Sequence, residues 1–532
     1  MKEFQVVIIG GGATGVGILR DLSMRGISAL LIEKGDLTNG ASSRFHGLLH
    51  SGGRYAAKDI EAAKECIAEN IILRKIGGNF VEETEGMFIR LASDDPLYTD
   101  AWLEGCKAAN IPVTPVTLTE ARIMEPSISP NAAEIFLVPD AAIDGFRMAW
   151  QNIHSAKKYG AKFITYSEVV SILSENGKIK GVEVKNTLTG EVTTIACEIL
   201  VNAAGGWAGK VAALAGLSVR VQPDKGTLIA FNRRITKRVV NRLHQSSDGD
   251  IMVPHGPISI LGTSSISVDD PEDTSTSREE VEKLLRMGEA MFPDLRSNRI
   301  LRVYAGSRPL YIPEGGKVGR GASRGFAILD HEIDGLYGMF TIVGGKFTTY
   351  RLMAEKISDQ IAKKLGNTVP CKTATETLVD APEEEDKEAA RKYFPSFGLE
   401  PAVVRLGRVR FGRVSKNIKE HPQKRQLVCE CENITLAEVE EIANEDTTHN
   451  LNDLRRRTRI GMGTCQGSFC ALRAAASFYR VKKEKPDALK EMKNFLEGRF
   501  KGIRPVLFGK TLKETEFTRA LYELSFNIGG SK

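Results

Sequence analysis

The feature that most constrains this fold is a glycine pattern close to the start of the chain. Gly10, Gly12 and Gly15 form G-x-G-x-x-G between an apolar run, Phe4–Ile9, and a helix predicted at Ala13–Arg25. The first glycine allows a tight turn, the second lets the backbone approach a pyrophosphate, and the third permits close packing of helix on strand. The sequence therefore predicts a Rossmann-like dinucleotide site.

An acid and a polar loop follow in the order that such a site needs. A second apolar strand, Ile27–Glu33, ends in Glu33, 18 residues after Gly15, where a carboxylate can accept hydrogen bonds from ribose hydroxyls. Small and hydroxyl residues fill Gly40–Arg44, and the glycine- and histidine-rich segment His46–Tyr55 comes next. This loop can pass close to a large planar cofactor, although spacing alone does not name the dinucleotide.

Length and charge narrow the class of protein. A chain of 532 residues is expected to form two to four domains. Its net charge of +6, from 73 basic and 67 acidic residues, gives no concentrated basic face for nucleic acid. The one dense basic cluster, Arg455–Arg457, is interpreted as a solvated turn or a carboxylate-paired face.

No stretch resembles a signal peptide or a membrane span. A strand is predicted almost at once, and no apolar run approaches the roughly 20 residues that cross a bilayer. We therefore expect a cytoplasmic protein whose membrane contact is peripheral or made through a partner.

The local patterns predict a large mixed α/β unit to about residue 375 and a smaller cysteine-bearing unit after it. Helical spacing is seen at Asp59–Ile76 and Arg278–Met291, and a further helix is predicted from about Thr348. The predicted strands are Lys162–Tyr166, Ile179–Lys185, Glu191–Ala196, Ile199–Ala204 and Phe340–Val343. The charged run Ala381–Lys387 is predicted to be a linker.

The eight cysteines fall into two groups. Cys66, Cys106, Cys197 and Cys371 stand alone and are interpreted as small buried hydrophobes. Cys429-x-Cys431 and Cys465-x4-Cys470 are two close pairs, separated by 33 residues, and four such thiolates can ligate zinc or an iron–sulfur cluster. The one-residue gap within the first pair counts against zinc.

Taken together, five motifs carry a family resemblance: Gly10–Gly15 with Glu33, His46–Tyr55, Val201–Gly205, Tyr304–Leu310 and Gly344–Arg351. With them the chain resembles the FAD-dependent glycerol-3-phosphate dehydrogenases of the glycine/D-amino-acid oxidase superfamily, most of all the catalytic A subunits of the anaerobic type. The cysteine region resembles the bacterioferritin-associated-ferredoxin-like domain, which holds a [2Fe–2S] cluster.

The resemblance implies an α/β fold in three parts. A Rossmann-like FAD-binding domain carries an inserted antiparallel β-sheet substrate domain, and a small C-terminal helical iron–sulfur domain follows. The oxidoreductase domain would span 1–375, with FAD-binding segments at about 1–80, 145–215 and 320–365 and the substrate-domain segments between them. A linker and helical region at 376–425, the [2Fe–2S] domain at 426–480 and a helical tail at 481–532 would complete the chain.

The implied reaction is oxidation of sn-glycerol 3-phosphate to dihydroxyacetone phosphate. The implied substrate-pocket residues are His50, Arg54, Tyr55, Arg308, Arg324 and Lys346, with His50 or His46 as candidate base. The implied FAD-binding residues are Gly10, Gly12, Ala13, Thr14, Gly15, Glu33, Lys34, Ser42, Ser43, His46, Gly47, Leu48, Val169, Ala204, Gly205, Gly344, Gly345, Lys346, Phe347 and Thr348. The implied cluster ligands are Cys429, Cys431, Cys465 and Cys470.

The sequence leaves two alternative hypotheses about function open. The loop His46–Gly52 is also similar to that of the 2-hydroxyglutarate oxidases, so a 2-hydroxy acid or an amine is an alternative substrate. A second alternative, of another class, is an electron-transfer or redox-sensing subunit without its own substrate. Under the leading reading, electrons would pass from flavin through the cluster to partner electron-transfer subunits, which would include a flavoprotein or a membrane-anchoring iron–sulfur protein, or to quinone.

Overall fold

A computed structural model describes residues 2–313, 325–378, 383–394, 399–482 and 487–526. Its strands, numbered along the chain, are β1 Lys2–Ile9, β2 Ala29–Ile32, β3 Leu48–Leu49, β4 Val81–Glu82, β5 Gly86–Leu91, β6 Thr114–Val116, β7 Ala132–Val138, β8 Ala141–Ile143, β9 Lys162–Ile164, β10 Ser167–Glu175, β11 Lys178–Asn186, β12 Val192–Asn202, β13 Val221–Phe231, β14 Val239–Arg242, β15 Ile251–His255, β16 Ile258–Gly262, β17 Ile266–Ser267, β18 Ile300–Tyr311, β19 Phe326–Asp330, β20 Met339–Gly344, β21 Leu427–Cys429 and β22 Ile434–Thr435.

The helices are α1 Ala13–Met24, α2 Ile60–Gly77, α3 Pro96–Ala108, α4 Leu118–Met124, α5 Gly145–Lys158, α6 Ala208–Ala213, α7 Arg278–Glu289, α8 Tyr350–Lys364, α9 Glu384–Tyr393, α10 Leu399–Glu420, α11 Leu436–Ala443, α12 Leu451–Thr458, α13 Ala471–Val481, α14 Ala488–Lys501 and α15 Gly509–Phe526. Helix α10 bends at Gly407, which has a φ of 72°. The predicted helices near Ala13, Asp59 and Arg278 are confirmed to within two residues at each end.

The first sheet holds the glycine turn at its carboxyl edge. Strands β12, β1, β2 and β9 are parallel neighbours, with Val7 opposite both Leu30 and Leu200. Both faces of β1 are covered, so Val6, Val7 and Ile8 are fully buried, as its unbroken apolar run predicts. Two separate strands were predicted between residues 191 and 204, but the structure has one continuous strand, β12. It is continuous because it pairs with antiparallel β11 at one end and with parallel β1 and β20 at the other.

The second sheet is the predicted inserted, mainly antiparallel one. Its order is β17-β13-β16-β15-β14-β5-β7-β6, with β18 along β13 and one parallel pairing, β14 with β5. Strand β18 runs antiparallel to β13 over almost its whole length, and this register places Arg308 opposite Asp224. The two sheets together form the expected α/β architecture, a Rossmann-like unit with an inserted sheet.

The C-terminal part is helical and has its own apolar core, in which Phe394, Phe411, Phe478 and Phe495 are buried. The linker prediction for Ala381–Lys387 is wrong where the structure describes that segment, since 384–387 is the first turn of α9. Glu383 caps this helix in a capping box with Asp386, and both acids pair with Arg408. The charge run thus starts a helix whose Ala390 packs in the core, as does Phe394 directly after it.

Two smaller predictions have clear outcomes. Cys66, Cys106 and Cys197 are buried thiols, as expected, whereas Cys371 is partly exposed. Burial raises the pKa of Cys66 to about 12. Within the described ranges, none of the helices combines the length and apolar character that a membrane crossing requires.

Candidate functional site: a dinucleotide turn, a cationic cavity and a cysteine ring

The glycine turn has the backbone geometry that the pattern predicts. Gly10 has a φ of +111°, and a Cβ there would lie 2.6 Å from the Ala203 carbonyl oxygen. A Cβ on Gly15 would lie 1.9 Å from the carbonyl oxygen of Gly10, so only glycine lets α1 approach β1 this closely. Sequence spacing alone was enough to find these two positions, because both constraints are local.

Helix α1 begins without a side-chain cap on Gly12 and without an acidic residue in its first turn. Its positive end is therefore left for an anion, and the N–H of Ala13 is held by the hydroxyl of Ser42 at 2.9 Å. The Glu33 carboxylate accepts hydrogen bonds from the N–H groups of Gly11 (2.7 Å) and Gly35 (2.9 Å). Burial raises the pKa of Glu33, and these two bonds oppose that shift. The turn fits the pyrophosphate and ribose of a dinucleotide.

A cavity of about 280 Å³ joins this turn to most of the predicted substrate residues. The segment that follows β2 and the segment that follows β20 meet there, next to the second sheet. The residues predicted to bind cofactor or substrate that line this cavity are Ala13, Thr14, Ser42, His46, Leu48, His50, Arg54, Tyr55, Arg308, Gly344, Gly345, Lys346 and Phe347. The structure therefore gathers the start of the nucleotide-binding helix, two histidines and four cationic side chains, Arg44 among them, around one space.

Arg54 is fixed by a polar network that the sequence did not reveal. Its guanidinium donates to Asp250 Oδ1 at 2.8 Å and to Asn241 Oδ1 at 3.2 Å. Asn241 in turn donates to Asp140, which also accepts the N–H of Ser51 at 2.6 Å. The Arg54 charge lowers the pKa of Asp250 against the opposing effect of burial, so this pair stays ionised.

Arg308 and Lys346, the other two predicted substrate cations in the described chain, are also held by acids. Arg308 donates to Asp224 Oδ2 at 2.7 Å, and its side chain reaches the hydroxyl of Thr263. Lys346 Nζ lies 3.6 Å from Glu65 Oε2 and 5.2 Å from the centre of the Tyr55 ring. Each cation is thus oriented before any ligand arrives, at the price of partial neutralisation.

The two histidines of the loop differ in their bonding. His46 Nδ1 accepts the N–H of Leu48 at 3.1 Å, which fixes its ring in the loop. The His50 ring makes no hydrogen bond within the described part of the chain. Its centre lies 5.9 Å from the centre of the His46 ring and 5.4 Å from that of the Tyr55 ring. Burial, followed by the nearby cations, lowers the pKa of His50 well below its usual value, so its imidazole is neutral at pH 7. A neutral imidazole can accept a proton.

The remaining predicted cofactor residues surround the turn at other points. Ala204, where a short helical turn starts, lies against Gly10, and Gly205 follows with a φ of +57°. Val169 packs in the apolar cluster that contains Ile9 and Ile32. Lys34 pairs with Glu272 at 2.6 Å, Ser43 and Gly47 line a neighbouring cavity, and the Thr348 hydroxyl accepts the N–H of His50. Arg324 lies outside the described residues.

The four clustered cysteines form a ring of reduced sulfurs. Cys431 Sγ lies 3.8 Å from Cys429 Sγ and 3.7 Å from Cys465 Sγ. The Cys470 thiol donates to the Gly467 carbonyl oxygen at 3.9 Å and is close enough to Cys429 and Cys465 to affect their ionisation. Hydrogen bonds with Cys431 lower the pKa of Cys429 and of Cys465, and the same contacts raise the pKa of Cys431. The thiols of the ring are therefore coupled, and a proton kept by one sulfur stabilises the thiolate of its neighbour.

Backbone groups complete the sulfur environment. The N–H groups of Glu432 and Gly461 reach Cys429, and those of Gly467 and Phe469 reach Cys465. A Cβ on Gly463 would lie 2.5 Å from Cys431 Sγ. This agrees with the prediction that small residues here let backbone N–H groups reach cluster sulfurs, and thiolates with N–H donors suit an iron–sulfur centre.

Known proteins share this organisation. The family model "FAD dependent oxidoreductase" matches residues 5–360, and the model "BFD-like [2Fe-2S] binding domain" matches residues 427–477. The A-subunit of the anaerobic glycerol-3-phosphate dehydrogenase of Escherichia coli K12 is 43% identical over 528 residues, covering 98% of this chain and 96% of that protein. The A1-subunit of the anaerobic glycerol-3-phosphate dehydrogenase of Haloferax volcanii is 40% identical, covering 99% and 91%.

The chain belongs to the family of anaerobic glycerol-3-phosphate dehydrogenase A subunits. The family resemblance predicted from the motifs is thereby confirmed. A solved structure of glycerol-3-phosphate dehydrogenase from Bacillus halodurans, complexed with FAD, has the same fold, with a TM-score of 0.69, 21% identity and coverage of 96% of both chains. As a member of this family the chain is an FAD-dependent oxidoreductase with a [2Fe–2S]-binding domain.

The cysteine ring is the candidate [2Fe–2S] site of this chain. Across the residues that the structure describes, no group of three or more His, Cys, Asp or Glu side chains is placed to hold a single metal ion. The ring of four thiols falls inside the range that the two-iron domain model matches. The expectation of FAD and a [2Fe–2S] cluster as cofactors is confirmed by the two models.

Sequence reasoning missed the acids behind the cations, Asp224, Asp250 and Glu65. These residues come from β13, from the loop before β15 and from α2, and no local motif links them to the cations that they hold. Each acid can be recognised as the partner of a cation only from its contact in the folded chain.

Proposed function

We propose that this chain oxidises sn-glycerol 3-phosphate to dihydroxyacetone phosphate and passes the electrons to partner subunits. The observation that carries the proposal is the convergence of Arg54, Arg308 and Lys346 with the neutral His50 in one cavity beside the nucleotide turn. A phosphate dianion needs fixed cations, and a secondary alcohol needs a base. The names of the 40–43% identical relatives support the same substrate.

The chain's residues have separate tasks under this proposal. Arg54 and Arg308, oriented by Asp250 and Asp224, bind the substrate phosphate together with Lys346. His50 takes the proton from the substrate hydroxyl, which its lowered pKa allows at neutral pH. FAD, when bound, supplies the hydride acceptor.

The cofactor and cluster sites are proposed residue by residue. Gly10, Gly12 and the start of α1 hold the FAD pyrophosphate, Glu33 binds the ribose, and the N–H groups at Gly344–Thr348 stabilise negative charge on the flavin. Cys429, Cys431, Cys465 and Cys470 ligate a [2Fe–2S] cluster, which supplies one-electron transfer towards the partner subunits. We further propose a cytoplasmic location, with membrane contact made only through a partner.

Anaerobic flavin bleaching tests the substrate. The holoprotein is mixed with glycerol 3-phosphate, glycerol, 2-hydroxyglutarate or an amino acid, and flavin absorbance is followed. We expect glycerol 3-phosphate alone to bleach the flavin rapidly. Faster bleaching by a 2-hydroxy acid or an amine would move the chain to the alternative substrates, and no bleaching by any of them would favour an electron-transfer protein without its own substrate.

Cysteine replacement tests the electron route. A serine at any one of the four cysteines should remove iron and the reduced-state EPR signal while substrate still bleaches the flavin. Electron delivery to the partner subunits should fail. Zinc instead of iron, in metal analysis of anaerobically prepared parent protein, would contradict the redox role of this domain.

A further inference from the structure

A second cavity, of about 820 Å³, lies between the flavin-binding part and the cysteine-bearing part of the chain. This volume is within the range of small-molecule sites. Its walls come from β18, from α12 and from α14 with the turn that follows. Several arginines on these walls have no acid partner among the described residues; they include Arg44, Arg302, Arg455 and Arg499.

Three of the guanidinium groups that line this cavity have N–H groups without an acceptor. Across the described residues, Arg302 and Arg455 make no ion pair and no side-chain hydrogen bond, and Arg499, only 7% exposed, donates only to Gln466 at 2.6 Å. Nη1 of Arg302 and the Nε atoms of Arg455 and Arg499 are buried without any hydrogen-bond partner. Arginine keeps its charge when buried, so each of these N–H groups costs free energy until an acceptor reaches it.

The acids on the same walls are already engaged. Asp144 caps α5 and lies 3.4 Å from Arg459, and Glu491 accepts the N–H of Leu451 at 3.3 Å. Burial and the charge of Arg302 lower the pKa of Arg499, the expected result of crowding buried cations. The cavity therefore holds more fixed positive than negative charge.

We propose that this cavity binds an anion carrying two or more phosphate charges, held by Arg302, Arg455 and Arg499. Guanidinium groups present paired donors that match phosphate oxygens. The three arginines lie outside the substrate cavity, which adjoins this one at Arg44, Phe45 and His46. In the substrate cavity the guanidinium groups of Arg54 and Arg308 have carboxylate partners at 2.8 and 2.7 Å. Since Arg302 lies on β18 and the other two on α12 and α14, the anion bridges the two parts of the chain.

The test measures binding of pyrophosphate and of ATP to the FAD- and iron-loaded protein, by calorimetry and thermal unfolding, against chloride at matched ionic strength. Pyrophosphate should bind saturably and raise the unfolding temperature. Arg455→Met should weaken this binding by at least about tenfold. Without anion the same variant should unfold at the same or a higher temperature than the parent, because an unpartnered buried cation is gone.

Two controls locate the binding. Arg413→Met removes a charge from the same helical part, where Arg413 pairs with Glu441 at 2.6 Å, and should leave pyrophosphate binding intact. Arg308→Ala, in the substrate cavity, should also leave it intact. Arg302→Met repeats the test from the opposite wall in case Arg455→Met does not fold.

Three outcomes would overturn the proposal: no saturable binding to the parent, loss of binding in Arg308→Ala but not in Arg455→Met, or release of FAD by pyrophosphate. Flavin absorbance, recorded in the same titration, reports that release. Tighter binding of ATP than of pyrophosphate would assign a nucleoside phosphate, and equal binding a free phosphate anion. Both results support the site.

Discussion

Each cation expected to face substrate in the described chain has an acid behind it. Arg54 rests on Asp250 and Arg308 on Asp224, and both acids are almost completely buried. An arginine buried alone would be costly and mobile, whereas the acid both offsets its charge and fixes the orientation of its donors. The donors of the pocket are therefore oriented before a ligand binds, while the acids offset part of their charge.

Arg308→Ala should raise the KM for glycerol 3-phosphate about ten- to hundredfold, because it removes a charge-assisted hydrogen bond of about 1.5–3 kcal/mol. Steady-state kinetics with glycerol 3-phosphate and with glycerol measure the effect. Glycerol should react equally poorly with parent and variant. Arg308→Lys keeps the charge without the forked donors and should fall between them. Unchanged kinetics in Arg308→Ala would contradict the assignment of this residue to the phosphate.

His50→Asn should slow flavin reduction by roughly 10²- to 10⁴-fold, the usual contribution of a positioned base. Affinity for glycerol 3-phosphate should change little, since a neutral histidine adds no charge to the pocket. Stopped-flow reduction under anaerobic conditions separates the two. Because burial lowers the pKa of His50, the base form persists as pH falls, and the parent rate should hold from about pH 8 to about pH 6.

His46→Asn is the matched variant for that experiment. The His46 ring accepts the Leu48 N–H, so its loss should disturb the loop and FAD retention more than proton transfer. If His46→Asn slows flavin reduction by the amount expected for His50→Asn, and His50→Asn leaves the rate unchanged, then His46 is the base and His50 supports the loop.

At the scale of elements, the cysteine ring depends on turns that side chains would obstruct. Gly461 and Gly467 have φ values of 74° and 95°, and Gln466 accepts a φ of 52° between them. Helix α13 then begins directly after Cys470. Two loops and a helix end are thus folded tightly around four sulfurs, which is how thiols far apart in sequence meet.

Gly463→Ala should displace Cys431, because the added methyl would lie 2.5 Å from its sulfur. We expect loss of iron and of the EPR signal, with FAD content unchanged. Gly498→Ala is the matched control, since its methyl in α14 would meet nothing closer than 4.0 Å. Full iron content in Gly463→Ala would show that the ring tolerates movement of Cys431.

At the scale of the whole molecule, one buried acid joins the two parts of the chain. Asp36 is 1% exposed and lies three residues after Glu33, the proposed ribose-binding acid. It accepts from Arg456 at 2.6 Å and from Arg457 at 2.9 Å. The dense basic cluster is thus largely a carboxylate-paired face, one of the two interpretations given by its sequence. Through this joint, the nucleotide edge of the first sheet is tied to the cysteine-bearing helices.

Asp36→Asn should destabilise that joint by about 3–5 kcal/mol, because it leaves the buried Arg457 without its carboxylate and Arg456 with Asp453 alone. Thermal unfolding should show an earlier transition of the C-terminal part, and electron delivery to an external acceptor should fall more than flavin bleaching. Asp359→Asn removes the half-exposed partner of Arg25 and should cost about 1 kcal/mol or less. Equal losses in the two variants would contradict the special role of Asp36.

The sequence by itself determined what depends on neighbours along the chain. The glycine turn, the buried strand at β1 and the close spacing of the cysteines are set by backbone conformation and short-range packing, so they could be predicted and were found. The prediction of a linker at Ala381–Lys387 was wrong because the local sequence shows neither Arg408, which pairs with Glu383, nor the core in which Phe394 is buried.

Only the tertiary structure decided which charges meet. Asp224, Asp250 and Asp36 acquire their roles from strands and helices that approach them from far along the chain, and Arg302, Arg455 and Arg499 form a cavity only when the C-terminal helices pack on β18. Electrostatic interactions act through space and strengthen with burial, and a linear sequence specifies neither distance nor burial until the chain has folded.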